Sequence, residues 1–294
     1  MRLSKFVGKT PLLPLKFEKN QTIWGKAEFM NPGGSVKDRM ATFILNNAEE
    51  QGLIKNGDTL CEATSGNTGI SFAMLAAERG YKMVIVMPCN MSEERKKIFK
   101  FYGAKLVEVD AGDFDGAISL RDKMCIEKGW FNCNQFHNTL NIQAHYDTTG
   151  PEIYQQFTES CGETPDAIVL GTGTGGTIMG TGKYLREKWP EIKIIAVEPA
   201  ESPVMSGGEA GLHGIQGIGD GSKFLVDLEF VDEIVLVSTK DATDFAKKLA
   251  KNGLFIGVSA GANVLASERW LSKNNKKHAI TVLCDRGERY FSCL

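Results

Sequence analysis

The sequence predicts an α/β protein of two domains, each a mostly parallel, twisted sheet flanked by helices. Short β-rich runs alternate with helix-like stretches almost from end to end, the pattern of parallel strands joined by right-handed crossovers. Several runs, such as Val84-Ile85-Val86, are continuously apolar, as expected of strands covered on both faces. The chain has 294 residues, enough for two medium domains with substantial cores.

The first expected strand covers residues 22–29. It is followed by Asn31-Pro32-Gly33-Gly34-Ser35-Val36-Lys37-Asp38-Arg39, where proline and two glycines set a sharp turn. Ser35 suits the N-cap of a helix expected over 36–51. Lys37 then falls in the first turn, near the positive end of the helix dipole, which disfavours its ammonium form. A lysine that gives up its proton readily can form a Schiff base and carry protons.

A strand at 59–63 leads through Glu62-Ala63-Thr64-Ser65-Gly66-Asn67-Thr68-Gly69 into a helix at 68–79. Hydroxyls and backbone amides at a helix start cradle a small anion such as a carboxylate, and this run of small polar residues exceeds what capping requires. A strand at 83–87, a helix at 92–102, a strand at 105–109 and a helix at 116–128 continue the alternation. A change of domain is expected near 135–150, where one βα series closes and another opens.

The second series begins with a strand at 167–170, the loop Gly171-Thr172-Gly173-Thr174-Gly175-Gly176-Thr177, a helix at 176–188 and a strand at 192–197. The glycines let the backbone approach a phosphate closely while the helix start supplies amides. The loop also satisfies G-x-G-x-x-G, with Glu198 ending the next strand, so an NAD-dependent oxidoreductase remains open. A Walker A reading fails for want of Gly-Lys-Ser/Thr. Residues 201–221 are glycine-rich and irregular and read as a long functional loop. A strand at 233–237, a helix at 242–252, a helix opening at Gly257-Val258-Ser259-Ala260-Gly261-Ala262 and a strand at 279–283 complete the chain.

Hydrophobic content of 42%, charged content of 24% and a net charge of -2 are ordinary for a soluble protein and argue against nucleic acid or an anionic membrane as main partner. No apolar run is long enough to span a bilayer and the amino terminus lacks a signal-peptide core, so the expected address is the cytosol. Seven cysteines without a C-x-x-C pair fit reduced thiols. Four histidines form no metal-binding pattern, and no metal is expected.

Taken in order, NPGGSVKDR, EATSGNTG, TTGPEI (148–153), GTGTGGT, GVSAGA and CDRGERY (284–290) resemble the cysteine synthase family across essentially the whole chain. These O-acetylserine sulfhydrylases are pyridoxal-phosphate enzymes of fold type II, the tryptophan synthase β-like fold. Residues 91–95, 144–153 and the CDRGERY ending resemble the B-type synthases in particular.

The resemblance implies pyridoxal 5'-phosphate as cofactor, with Lys37 holding it as a Schiff base and later moving the α-proton. It implies that Asn67 contacts the ring hydroxyl, that Gly173, Thr174, Gly175, Gly176 and Thr177 bind the phosphate, and that Ser259 faces the pyridine nitrogen. Thr64, Ser65, Gly66, Thr68 and Gln135, with Gly217, would bind the amino-acid substrate. Residues 35–140 would form a smaller domain with the carboxylate loop and a mobile part, and 1–34 with 141–294 a larger, phosphate-binding one. The implied reaction is β-replacement or β-elimination through an aminoacrylate, with thiol, sulfide or water as acceptor, in a homodimer.

The loop Gly214-Ile215-Gln216-Gly217-Ile218-Gly219-Asp220-Gly221 departs from the B-type pattern, which tends to carry arginines there. Asp220 stands where a small residue is usual. Aimed at the β-carbon, its charge would repel bisulfide or act as a base for water or a neutral thiol, so a cysteine-degrading, sulfide-producing lyase or a lanthionine- or cystathionine-forming enzyme is an alternative. A loop aspartate capping a turn is the plain structural alternative. Serine or threonine dehydration shares the early chemistry and is a further one, and an inactive binding protein on the same fold is the last.

Overall fold

The computed structural model describes residues 2–17, 20–219 and 221–291. The elements run β1 Leu12–Lys16, β2 Thr22–Lys26, α1 Lys37–Glu50, β3 Thr59–Ala63, α2 Asn67–Arg79, β4 Lys82–Pro88, α3 Glu93–Phe101, β5 Lys105–Val109, α4 Phe114–Lys128 and β6 Phe131–Asn132. They continue with α5 Leu140–Ala144, a π-helical turn His145–Thr149, α6 Gly150–Cys161, β7 Ala167–Gly171, α7 Gly176–Lys188, β8 Lys193–Pro199, β9 Glu233–Val237, α8 Thr239–Lys251, α9 Val258–Asn274 and β10 His278–Val282.

The chain divides into two compact units, one holding the residues up to Val7 and Lys37–Asn141, the other Gly8–Val36 and the chain from Ile142 onward. The first residues therefore group with the smaller unit, whereas the sequence reading put them in the larger domain. Ser4 explains why, its amide donating to Glu78 Oε1 on α2 at 2.9 Å.

In the smaller unit four parallel strands lie in the order β5-β4-β3-β6. Strand β4 is buried from Met83 to Pro88, which is why its sequence is an unbroken apolar run. Helix α2 ends where Gly80 takes φ 77°, a left-handed conformation suited to glycine. Helix α3 starts at Ser92, whose hydroxyl accepts the Arg95 amide at 3.4 Å.

The larger unit carries a six-stranded sheet in the order β1-β2-β10-β7-β8-β9. Alternate residues serve two cores, as the period of a strand requires. Ile23, Val169, Ile195 and Val197 pack with Ala260, Val264 and Leu271 of α9. Trp24, Ile168, Leu170 and Ile194 pack with Ile153 and Phe157 of α6 and Ile178 and Leu185 of α7. Helix α8 follows the cap of Ser238, which accepts the Asp241 amide at 3.1 Å, and buries Ala242, Phe245, Ala246 and Leu249 at helical spacing.

The expected strands and helices all form, with ends shifted by a few residues. The strand expected over 22–29 stops at Lys26, because a 3-10 turn at Glu28–Met30 breaks it. Strand β1 was not foreseen: it contains Pro14, and a proline is tolerated because β1 is an edge strand, antiparallel to β2 with Leu12 opposite Lys26. Helix α6 was also not foreseen, since its Gly-Pro start reads as a turn although proline fits a first helical position.

Candidate active site

Each unit presents its own set of the residues singled out from sequence, most of them in loops that lead into a helix. In the smaller unit Lys37 is the first residue of α1. The helix begins two residues after Ser35, which instead forms a bridge with Asp285 in the larger unit's own fold. The next residue, Asp38, is buried and accepts the Ser71 hydroxyl through Oδ1. Ser71 also donates to the carbonyl of Asn67 at 3.1 Å, so the first turns of α1 and α2 are tied together and Lys37 and Asn67 share one neighbourhood.

Helix α2 starts at Asn67 after Gly66, and no side chain caps it. Its first amides and the adjoining hydroxyls therefore suit an anion. Thr64 Oγ1 accepts the Gly66 amide at 3.2 Å, which curls the loop, and Arg95 Nη1 donates to the Ser65 carbonyl at 3.2 Å. Thr68 donates its hydroxyl to Gln135 Oε1 at 2.6 Å, while Gln135 Nε2 donates to the Ala63 carbonyl at 3.2 Å. Thr64, Gly66, Thr68 and Gln135 are thus brought to the end of β3.

Beneath that loop Glu62 and Arg121 form an ion pair of 2.8 Å, with side chains 0% and 1% exposed. Burial lifts the Glu62 carboxyl above its usual range; the Arg121 guanidinium and the Gln135 and Ala63 amides oppose the shift. With a donor on each oxygen, the geometry is that of an ionised carboxylate. Burial pushes the nearby Cys133 thiol well up, which suits an inert core thiol. Among the described residues no cysteine is in a disulfide; Cys293 lies outside them.

In the larger unit the loop after β7 behaves as a phosphate cradle should. Gly175 takes φ 88° as the residue before α7 and brings no side chain of its own to cap that helix. Thr174 Oγ1 accepts the Gly176 amide at 3.4 Å. Thr177 Oγ1 lies 3.2 Å from His145 Nε2, and His145 Nδ1 lies 2.8 Å from Thr149 Oγ1. These contacts link the loop to the π-helical turn and explain why a histidine precedes the TTGPEI motif.

A side chain at Gly175 has no room: its Cβ would sit 2.8 Å from the Val226 backbone nitrogen. Replacing Gly175 with alanine is expected to cost about 1–3 kcal/mol through the left-handed conformation. It should also weaken phosphate binding at least 10-fold, read as the Kd for cofactor added to stripped protein.

The glycine loop at 213–219 lies over the same region. Gly219 N donates to the Thr172 carbonyl at 3.0 Å, and Ile218 covers Gly171. Gly217, at φ 93°, is exposed on that loop. Asp220 lies outside the described residues.

Ser259 is 4% exposed in the uncapped first turn of α9. One turn later on the same face, Asn263 accepts the Gly171 amide at 2.7 Å and donates to the Val282 carbonyl at 2.9 Å. Asn263 thus ties the helix carrying Ser259 to the strand that ends in the phosphate loop. Sequence reasoning missed it, and the available signal was a lone amide among the small and apolar residues of 258–266.

The dinucleotide alternative loses its support here. Glu198 is buried, and its carboxylate accepts the Met205 amide, the Ser206 amide and the Ser206 hydroxyl at 2.9, 2.9 and 2.5 Å. Buried and holding three local donors, it closes a turn of its own chain instead of being presented to a ribose.

In the larger unit the glycine-lined start of α7 fits the phosphate of a phosphorylated aldehyde and Ser259 offers a neutral hydroxyl; the smaller unit, taken by itself, offers an amine at the start of α1. Sheets, loops and motifs together define a pyridoxal-phosphate dependent enzyme, and the chain belongs to that family, whose model matches residues 3–285.

Within the family it is similar to the cysteine synthase of Staphylococcus aureus, 42% identical over 99% of this chain and 95% of the relative. A hydrogen sulfide-producing enzyme from Fusobacterium nucleatum superposes with a TM-score of 0.94 at 39% identity, covering 99% of this chain and 90% of that one. An O-ureido-L-serine synthase superposes with a TM-score of 0.93 at 37% identity, covering 100% and 94%.

Proposed function

We propose that this protein carries out cysteine synthase-type β-replacement, converting O-acetyl-L-serine and sulfide to L-cysteine and acetate. The observation that carries the reading is the glycine-lined α7 start with Gly175 at positive φ, in a chain 42% identical to a cysteine synthase along nearly its whole length. When bound, pyridoxal 5'-phosphate supplies the electron sink for a carbanion at Cα.

This chain's residues do the rest. The Lys37 amine holds the cofactor and then takes and returns the Cα proton. Asn67 hydrogen-bonds the ring hydroxyl, and Gly173, Thr174, Gly175, Gly176 and Thr177 take the phosphate. Ser259 would face the ring nitrogen with a hydroxyl, which need not keep it protonated. That tempers the sink and suits expulsion of a β-leaving group. Thr64, Ser65, Gly66, Thr68 and Gln135 hold the α-carboxylate, and Gly217 lines the substrate side.

By the same reading the protein is a cytosolic homodimer acting on small molecules. No helix among the described residues is long and apolar enough to cross a membrane. The test is direct: purified holoenzyme is given O-acetyl-L-serine and sulfide, and cysteine and acetate are quantified. Absence of cysteine with sulfide in excess would sink the assignment.

A second reading, cysteine breakdown with sulfide release, is favoured by the likeness to the sulfide-producing Fusobacterium enzyme. It assigns Asp220 as the base for water or a neutral thiol. Asp220→Ala is then expected to lower sulfide release from cysteine about 100-fold, the lower range for loss of a general base, and to lower cysteine synthesis far less. Equal or absent effects on the two rates rule out that role.

A further inference from the structure

The ladder between β3 and β6 is only two residues long, pairing Leu60 with Phe131 and Cys61 with Asn132. The Cys133 amide still reaches the Cys61 carbonyl at 3.1 Å. Beyond that point the Glu62 side chain takes over. Its Oε2 accepts the Gln135 amide at 3.0 Å and its Oε1 the amide of Ala63 at 2.8 Å. Arg121 Nη1 holds Oε1 at 2.8 Å, and Arg121 is itself held by Asp122 Oδ1 at 2.9 Å. Asp122 Oδ1 also accepts Asn132 Nδ2 at 2.8 Å.

We propose that Glu62 and Arg121 are a positioning pair for substrate selection: they set the placement of Gln135 and of the loop that begins at Thr64, so that both meet an α-amino-acid carboxylate. The inference rests on the carboxylate role given to those residues above.

A buried ion pair does little for net stability, and apolar residues of equal volume fill a core at least as well. What a carboxylate adds is direction. Two fixed acceptor oxygens gather two backbone amides, those of Ala63 and Gln135, 72 residues apart, which no apolar side chain can do. Gln135 is then locked further by the Thr68 hydroxyl at 2.6 Å and by the Ala63 carbonyl at 3.2 Å. Its Nε2 carries a second hydrogen for a ligand oxygen.

The test uses holoenzyme and compares binding of L-serine with binding of L-serine methyl ester, which keeps the amine and hydroxyl but neutralises the carboxylate. Binding is read from the change in cofactor absorbance. Glu62→Gln keeps the volume but turns an NH2 toward one of the donors that the carboxylate now accepts. It is expected to reduce the preference for the free acid on the order of 10-fold, the worth of one misplaced charge-assisted hydrogen bond.

Asp122→Ala removes the outer tether of Arg121 at a half-exposed side chain, so folding is not at stake, and a smaller loss of the same preference is expected. An unchanged preference in folded Glu62→Gln overturns the proposal. If that variant does not fold, an unchanged preference in Asp122→Ala does so. Gln135→Ala and Thr68→Val report on the underlying assignment. If neither alters the preference, the carboxylate is bound elsewhere and both readings fall.

Discussion

Lys37→Ala is expected to yield a folded protein that lacks the yellow colour of the wild type and turns over O-acetyl-L-serine at least about 1,000-fold more slowly. Loss of a general base alone removes roughly 100- to 10,000-fold, and the proposed reading gives the same amine the anchoring of the cofactor as well. Folding should survive, because Lys37 is partly exposed at the start of α1 while Asp38, Met40, Ala41, Ile44 and Leu45 supply that helix's buried face. Borohydride reduction followed by peptide mapping checks the covalent claim. Wild type should carry the label on the peptide containing Lys37, and a label on any other lysine would overturn the assignment. A colourless wild type saturated with cofactor would do the same.

Arg121→Ala is expected to be the most destabilising of these substitutions, at about 3–5 kcal/mol, because it leaves Glu62 charged and buried without its partner. Glu62 would retain only the Ala63 and Gln135 amides. Replacing Glu62 as well, in Glu62→Gln/Arg121→Met, should recover part of the loss, since no lone charge then remains in the core. Urea unfolding of the two variants measures the difference. A cost below about 1 kcal/mol for Arg121→Ala would place the pair with exposed ion pairs, and the burial argument would be wrong.

Much of this architecture is readable from local pattern. Unbroken apolar runs such as Val84-Ile85-Val86 leave little choice but a strand covered on both faces, and β4 is one. A glycine at the last position before the helix marks the starts of α2, α7 and α9, where it brings no side chain of its own to cap the first amides. Strand β1 was hidden by Pro14, whose tolerance depends on lying at a sheet edge. Edge or centre is a property of strand order, and nothing local encodes it.

The partners of the loops were equally illegible. Glu62 reads as one polar residue ending a strand, and Arg121 as one cation in a charged helix. Their pairing joins residues 59 positions apart. Glu198 looked like the acid of a dinucleotide fingerprint until its oxygens proved to be occupied by Met205 and Ser206.

Sequence by itself determined where strands give way to helices and which of those junctions carry an amine, hydroxyls or glycine, because these depend on neighbours a few residues apart. Tertiary structure alone decided which strand lies at an edge, which acid is already satisfied and which buried charge orients Gln135. Those outcomes depend on desolvation and hydrogen bonding between segments far apart in the chain, and that information exists only once the chain is folded.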